Sequence, residues 1–260
     1  MVSDPLTYEL KRQRLAELEE AERNAVTRWQ NEINAAKQKH VYDYITGDRH
    51  VEYLVHFTPL PNIQSILKNG ILSRDTMDTY GISAVTPDEY RYDYQTSYTS
   101  FSISFPNYQL FYNKRNNTRY DYAVLLIDPK IIQDTALDRI SYLPYNAASR
   151  NIGPVEMYTG LKSLKDLFVD PIRDGYYYSR EELSIPPSYP TNLQAEVFIK
   201  AVVAPKYIKC IVVENEDIAK KLREDSTKWV SCNVPIMADY NYFRPRTDYL
   251  FWKTRSGEEV

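Results

Sequence analysis

The longest uniform pattern lies near the N-terminus, where residues 6–40 contain no Pro or Gly and are dense in Glu, Lys, Arg, Gln and Ala. That composition predicts one long helix. Leu15, Leu18, Ala25, Trp29, Ile33 and Ala36 recur at helical spacing as a thin apolar stripe. Glu22 and Glu32 interrupt a strict heptad, which argues against a long coiled coil. The stripe either packs on its own domain or offers a surface to a protein partner. Gly47 and Asp48 are the expected hinge, dividing a helical extension (1–46) from the main domain (47–260).

Beyond residue 50 the period changes from helix to strand. Residues 52–58 alternate, with Tyr53, Val55 and Phe57 on one face and Leu54, His56 and Thr58 on the other. A short helix is predicted from Asn62 to Asn69, ended by Gly70. Residues 73–97 are polar and read as a long loop carrying Arg91 between Tyr90 and Tyr92. Residues 98–105 alternate again, and the row Tyr98, Ser100, Ser102, Ser104 suits a wet or ligand-facing surface. Pro106 fits the first residue of a helix through Phe111 and Tyr112, followed by the basic residues Lys114, Arg115 and Arg119. Tyr122 to Ile127 is a continuous apolar run, hence a central strand. Residues 141–160 read as irregular, and Leu161 to Phe168 as a short helix. A second long loop, 170–192, is rich in Pro and Tyr and includes Tyr176, Tyr177 and Tyr178. Leu193 to Val203 is expected as the longest strand, with Gln194 and Glu196 on one face. Strands at Tyr207–Val213 and Trp229–Val234 flank a helix over 215–224, and an aromatic, basic tail closes the chain.

Composition sharpens the picture at three points. The 24 Tyr exceed what a core needs, and Tyr also stacks on bases. A net charge of −3 excludes a bulk DNA binder, so any nucleic-acid groove is a local patch. Cys210 and Cys232 form no metal or redox motif and read as buried free thiols, which fits a reducing, cytoplasmic setting. No stretch reaches the roughly 20 apolar residues of a membrane span.

The usual catalytic sets are thin. His40, His50 and His56 lack metal-ligand spacing, so no metal is expected. With 7 Gly there is no phosphate-binding glycine loop, which excludes only the Rossmann way of holding NAD. What remains is a His-x-Thr strand and a Gln-x-Glu strand, each weak alone.

Together with other stretches they carry a resemblance. Tyr53-Leu-Val-His-Phe-Thr58, Ile66-Leu-Lys-Asn-Gly-Ile-Leu72, Arg91-Tyr-Asp93, Ser102-Ile-Ser-Phe-Pro-Asn-Tyr108, Asn146-Ala-Ala-Ser149 and Tyr189-Pro-Thr-Asn-Leu-Gln-Ala-Glu-Val197 occur in one order over about residues 50–215. The chain thereby resembles the DarT-type nucleic-acid ADP-ribosyltransferases; the helix at 6–40 lies outside the resemblance.

The resemblance implies an α+β ADP-ribosyltransferase fold, a split and mostly antiparallel β core with flanking helices, and NAD as co-substrate. It implies that His56, Phe57 and Thr58 hold NAD, that Arg91 contacts its phosphate or steadies the target base, and that Tyr108 or an aromatic near it stacks on nicotinamide. Glu196 would be catalytic and Gln194 would orient the acceptor. From composition, Tyr176, Tyr177 and Tyr178 and the aromatic tail would supply stacking surfaces for the acceptor, and Lys114, Arg115 and Arg119 would contact its backbone. The reaction would be transfer of ADP-ribose to a base in single-stranded DNA, guanine before thymine, by a toxin of a toxin–antitoxin or phage-defence system. Two other readings remain open: the same chemistry on mRNA, as in CmdT-like relatives, and a non-catalytic nucleic-acid-binding module. An antitoxin, either a hydrolase that removes the mark or a direct binder, would be the partner, docked on the helix at 6–40.

Overall fold

The computed structural model describes residues 5–86, 95–148, 153–173, 175–227 and 233–248. Helix α1 spans Pro5–Asp43 and continues into one π-helical turn, Tyr44–Asp48. Residues 9–32 are all exposed, so Leu15, Leu18 and Trp29 do not pack on their own domain. Only the last turns dock: Val41, Tyr44 and Ile45 are core residues, and the Gln38 amide donates to the Thr135 carbonyl. Gly47 and Asp48 therefore sit in a turn continuous with the helix and are not a hinge. A boundary at residue 46 cuts through the packed core.

Nine strands follow among the described residues: β1 (Leu54–Pro59), β2 (Thr99–Ile103), β3 (Tyr122–Ile127), β4 (Ile140–Leu143), β5 (Ile172–Arg173), β6 (Tyr176–Tyr177), β7 (Glu196–Ile199), β8 (Ile208–Val213) and β9 (Ile236–Ala238). Seven form one sheet in the order β4-β7-β2-β1-β3-β8-β9; β5 and β6 make a separate hairpin. All neighbours in the large sheet are antiparallel except β8 and β9. The helices are α2 (Ile63–Asn69), α3 (Arg74–Tyr80), α4 (Tyr108–Asn116), α5 (Lys130–Asp134), α6 (Gly160–Asp166) and α7 (Glu216–Ser226).

Strand β3 is buried at all six positions because both its faces are covered, which is why its sequence does not alternate. On one face Leu54, Leu125, Ile127, Ile211 and Val213 pack with Ile63 of α2, Ile131 and Ile132 of α5, Leu164 of α6 and Leu222 of α7. On the other, Val55, Val124, Leu126 and Val212 pack with Phe111 of α4 and Phe243. Gly70 ends α2 with φ +85°, and a Cβ there would lie 2.6 Å from the Val203 carbonyl oxygen. Only glycine allows that approach, which is fixed by paired backbone bonds between Ile71 and Val203.

The sheet is split at its centre. Strand β1 pairs with β3 over six positions but with β2 over only Leu54↔Ile103 and Val55↔Ser102. Beyond Val55 the ladder between β1 and β2 ends, and a cleft opens between two half-sheets.

Several elements differ from the sequence expectation. The stretch 73–97 contains α3, capped by the Ser73 hydroxyl on the Thr76 N–H. Asn107, not Pro106, introduces α4, accepting the Leu110 N–H. The stretch 141–160 includes most of β4, whose four residues are too few to show a period. The strand expected over 193–203 is only Glu196–Ile199, because Asn192 accepts the Gln194 N–H and starts a turn instead. Trp229–Cys232 lie outside the described residues, and the strand found near them is β9, parallel to β8. In the tail, Phe243 and a buried Arg246–Asp248 ion pair are structural, while Tyr249, Phe251 and Trp252 lie outside the described residues.

Candidate active site

The cleft between the half-sheets has a volume of about 350 Å³, within the usual range for a small-molecule site. Both strand motifs reach it. His56, Phe57 and Thr58 line it from β1, Ser100 and Ser102 from β2, and Glu196 from the first position of β7. Of the row Tyr98, Ser100, Ser102 and Ser104, the first three line the cleft, while the Ser104 hydroxyl donates to the Ser188 carbonyl instead.

Glu196 is 5% exposed and held on both oxygens. The Ser100 hydroxyl donates to Oε1 at 2.8 Å, and the Ala147 N–H donates to Oε2 at 2.8 Å. Ala147 belongs to the Asn146-Ala-Ala motif after β4, so that motif acts on the carboxylate through its backbone. Two donors fix an acceptor-only group in one orientation. Ser100 also links the opposite strand: its carbonyl lies 3.0 Å from His56 Nδ1, a bond that places the imidazole proton on Nδ1. The imidazole thus spans the gap where β1 and β2 part. It also lies against Phe101, with ring centroids 5.4 Å apart.

Thr58 is buried and accepts from the Asn62 amide at 3.1 Å. The same Asn62 side chain brackets Val85, donating to its carbonyl at 2.9 Å and accepting its N–H at 2.8 Å. It thereby ties the segment after α3 to the cleft, where Ile82, Ala84, Val85 and Thr86 form part of the wall. Asn107 is 2% exposed and lines the cleft, and its Nδ2 has no hydrogen-bond partner among the described residues. A buried amide donor without a partner is costly unless a ligand acceptor meets it. Tyr98, also in the wall, has its phenol pKa pushed up by burial and by Glu156.

The predicted residues divide. Phe57 lines the cleft while stacking on Phe111 at 4.6 Å between centroids. Lys114 lines it as well. Arg115 does not: it is paired with Glu214 at 2.5 Å, donates to the Phe243 carbonyl at 3.0 Å and lies over the Phe111 and Phe243 rings. That side chain staples α4 to the sheet. Tyr108 packs on Tyr112, with centroids 5.7 Å apart, and is not in the cleft wall. Gln194 precedes β7 and does not share a strand face with Glu196; its amide donates to Gln109 Oε1 at 2.9 Å. Tyr176 and Tyr177 are exposed and Tyr178 is half-buried, all away from the cleft wall. Arg91 and Ser149 lie outside the described residues.

Sequence reasoning does not single out Ser100, Asn62 or Asn107. Ser100 is signalled only as one of an alternating row, and Asn107 only as part of a longer motif. Asn62 carries no signal beyond starting a helix.

A family model described as "DarT: ssDNA thymidine ADP-ribosyltransferase, DarT" matches residues 55–244. The chain belongs to the DarT family. That family is one of ADP-ribosyltransferases described as acting on single-stranded DNA. Among solved structures it is similar to Thermus sp. 2.9 DarT in complex with NAD+, at 11% identity and TM-score 0.50, over 74% of this chain and 96% of that one. Thermosipho africanus DarTG in complex with ADP-ribose matches at 19% identity and TM-score 0.47, over 74% of this chain and 51% of that one. The chain thus spans about half the length of that relative. Thermus sp. 2.9 DarT in complex with ADP-ribosylated ssDNA matches at 12% identity and TM-score 0.47, over 75% and 97%. The first of these three likenesses shows the ADP-ribosyltransferase fold. Comparison with curated proteins found no match. Among the described residues no cluster could hold a metal ion, and no helix is long and apolar enough to cross a membrane.

Proposed function

We propose that the protein is a toxin that transfers ADP-ribose from NAD to a base of single-stranded DNA, with guanine preferred, and that Glu196 is its catalytic residue. The observation that carries this reading is the doubly held Glu196 carboxylate in the cleft wall, beside His56 and Thr58. A fixed, poorly solvated carboxylate stabilises positive charge developing at the ribose carbon as nicotinamide leaves, an effect of order several kcal/mol. It also accepts the proton released by the attacking base nitrogen.

His56, Phe57 and Thr58 are the proposed NAD-holding residues, joined by Asn62 and Asn107. The buried polar wall and the unpartnered Asn107 donor fit a ligand rich in acceptors. Arg91 is assigned to the NAD phosphate or the target base on its sequence motif alone. Among acceptor residues, Gln194 orients the base and Lys114 contacts the backbone. Tyr176, Tyr177 and Tyr178 offer stacking surfaces, since a base that reacts must leave its stack. The guanine preference rests on the motif Ser104-Phe-Pro-Asn-Tyr108, against the thymidine in the family's description.

The toxin context implies restraint by an antitoxin. The exposed stripe of α1, with Leu10, Leu15, Leu18, Val26 and Trp29 about 60% exposed, is the proposed docking surface. Among the described residues, none of residues 9–32 is buried in the core.

Labelled NAD, offered with single-stranded DNA in which only one of the four bases is present at a time and with the matching RNAs, tests this reading. Label on the guanine DNA supports it. Label on thymine alone overturns the base preference, and label on RNA alone overturns the DNA acceptor.

A further inference from the structure

Away from the cleft, cations gather around two aromatic rings. Arg49 lies over both Tyr44 and Phe168, with its Cζ 5.3 and 4.8 Å from the ring centroids. Lys165 lies over the same Tyr44 ring at 5.3 Å, and Arg180 over the same Phe168 ring at 5.5 Å.

The three cations are not equivalent. Arg180 is buried and spent on structure: it donates to Thr191 Oγ1 at 2.5 Å and to the carbonyls of Pro186 and Tyr189 at 2.9 and 2.6 Å. Among the described residues Arg49 donates a hydrogen bond only through its Nε, to the Tyr44 hydroxyl at 2.7 Å. Its two terminal nitrogens and the Lys165 ammonium have no carboxylate partner among the described residues. The nearby carboxylate, Asp170, accepts the Arg180 backbone N–H. Burial above all, with the Arg49 and Arg246 charges, pulls the Arg180 pKa down to about 10.

The surface next to these cations carries exposed aromatic and apolar side chains, with Asp170, Glu181 and Glu182 exposed among them. Phe168 leads directly to Val169 and Ile172, both more than half exposed, and then to the β5–β6 hairpin, whose Tyr176 and Tyr177 are 69% and 80% exposed. The chain returns from that hairpin into Arg180. Unpaired cations beside exposed aromatic rings are the composition of a surface that holds single-stranded nucleic acid. Arg180 ties this surface to the cleft through Thr191, and the five residue steps from Thr191 to Glu196 span at most ~18 Å.

We propose that Arg49 and Lys165 form a second anion site that takes backbone phosphates of the single-stranded nucleic acid whose base enters the cleft, with Tyr176 and Tyr177 stacking on bases beside it. This site rests on the function proposed above. Tyr44 and Arg49 lie before the residues matched to the family, whereas Lys165, Tyr176 and Tyr177 lie within them.

The test compares labelled single-stranded DNA of about 20 nucleotides with a strand of about 5 that can fill only the cleft. Binding is read by fluorescence anisotropy across a salt series, and transfer is read in parallel. In the Arg49→Gln, Lys165→Gln double variant, affinity for the long strand falls about tenfold, and the slope of log affinity against log salt drops by about 0.7 for each phosphate no longer neutralised. The short strand and NAD cleavage are unchanged. Arg49→Lys with Lys165→Arg restores binding. Because Arg49 also holds Tyr44, Lys165→Glu alone serves as the variant that leaves that bond intact, and it weakens the long strand in the same sense.

A folded double variant with unchanged affinity and salt slope overturns the site, even where transfer to DNA is observed. Binding of the long strand that depends on Arg49 and Lys165 but leads to no transfer sustains the site and overturns the function proposed above. Equal, Arg49-dependent binding of a polyglutamate peptide assigns the surface to an acidic protein and overturns the nucleic-acid assignment.

Discussion

The Ser100 hydroxyl donates to Glu196 Oε1 at 2.8 Å, joining the buried carboxylate on β7 to the strand beside it. The same residue's carbonyl holds His56 across the split. One short residue thus sets the relation between the two motifs that line the cleft. Ser100→Ala removes the hydroxyl and keeps the carbonyl. Transfer is expected to fall about 10- to 100-fold, mostly in kcat, because a hydrogen bond to a charged group is worth roughly 1.5–3 kcal/mol. NAD binding, read by calorimetry, should change little. An equal loss in NAD affinity would place Ser100 in binding instead.

Asn62 closes a different relation, between Thr58 and Val85. Asn62→Ala releases the segment after α3 from the cleft. The expected result is a higher KM for NAD, and a loss of roughly 1–3 kcal/mol in stability from the groups left unpaired. Steady-state kinetics and denaturant melts read the two effects separately.

Much of this architecture is legible in the sequence. The continuous run Tyr122–Ile127 can only be a central strand, and the alternation through Val55-His56-Phe57-Thr58 assigns both faces of β1 correctly. The split itself is not legible, because it depends on how many residues of β1 find partners on β2, which is a property of pairing and not of either segment. The strand expected from Leu193 starts late for a local reason: the Asn192 side chain competes for backbone donors and delays the strand to Glu196. Basic residues are the least legible. Lys114 and Arg115 are neighbours in sequence, yet helix geometry sends one to the cleft and the other onto Phe243 and Glu214.

The exposed and docked parts of α1 should separate cleanly. Deleting residues 1–32 removes no buried side chain among those described, so Tm should shift little and NAD cleavage should persist. Extending the deletion through residue 45 removes Val41, Tyr44 and Ile45 from the core. At roughly 2–5 kcal/mol for each large side chain removed, that protein should not fold. Circular dichroism melting distinguishes the two.

Gly70→Ala tests the close approach to Val203. The new Cβ would collide with a backbone carbonyl at 2.6 Å, in a φ region unfavourable to Ala. A loss of about 2–3 kcal/mol is expected by denaturant unfolding.

Asp128 gives a pH dependence. Burial acts to raise its pKa, but the Lys209 hydrogen bond at 2.9 Å, the Lys130 N–H and the two lysine charges outweigh it, and the net pKa is lowered. A carboxyl with a lowered folded pKa adds stability above its unfolded pKa and loses it as pH falls through the folded value. Lys209 is half exposed, so the gain is under about 1 kcal/mol. Stability of Asp128→Asn should therefore fall less than that of the unaltered protein between neutral pH and about pH 2.

The most direct test of the central claim is transfer of labelled ADP-ribose to single-stranded DNA by the unaltered protein and by Glu196→Gln. The variant keeps shape and loses charge. The unaltered protein should label DNA, and the variant should label it at least 100- to 1,000-fold more slowly while binding NAD with similar affinity. Undiminished labelling by Glu196→Gln would contradict the account.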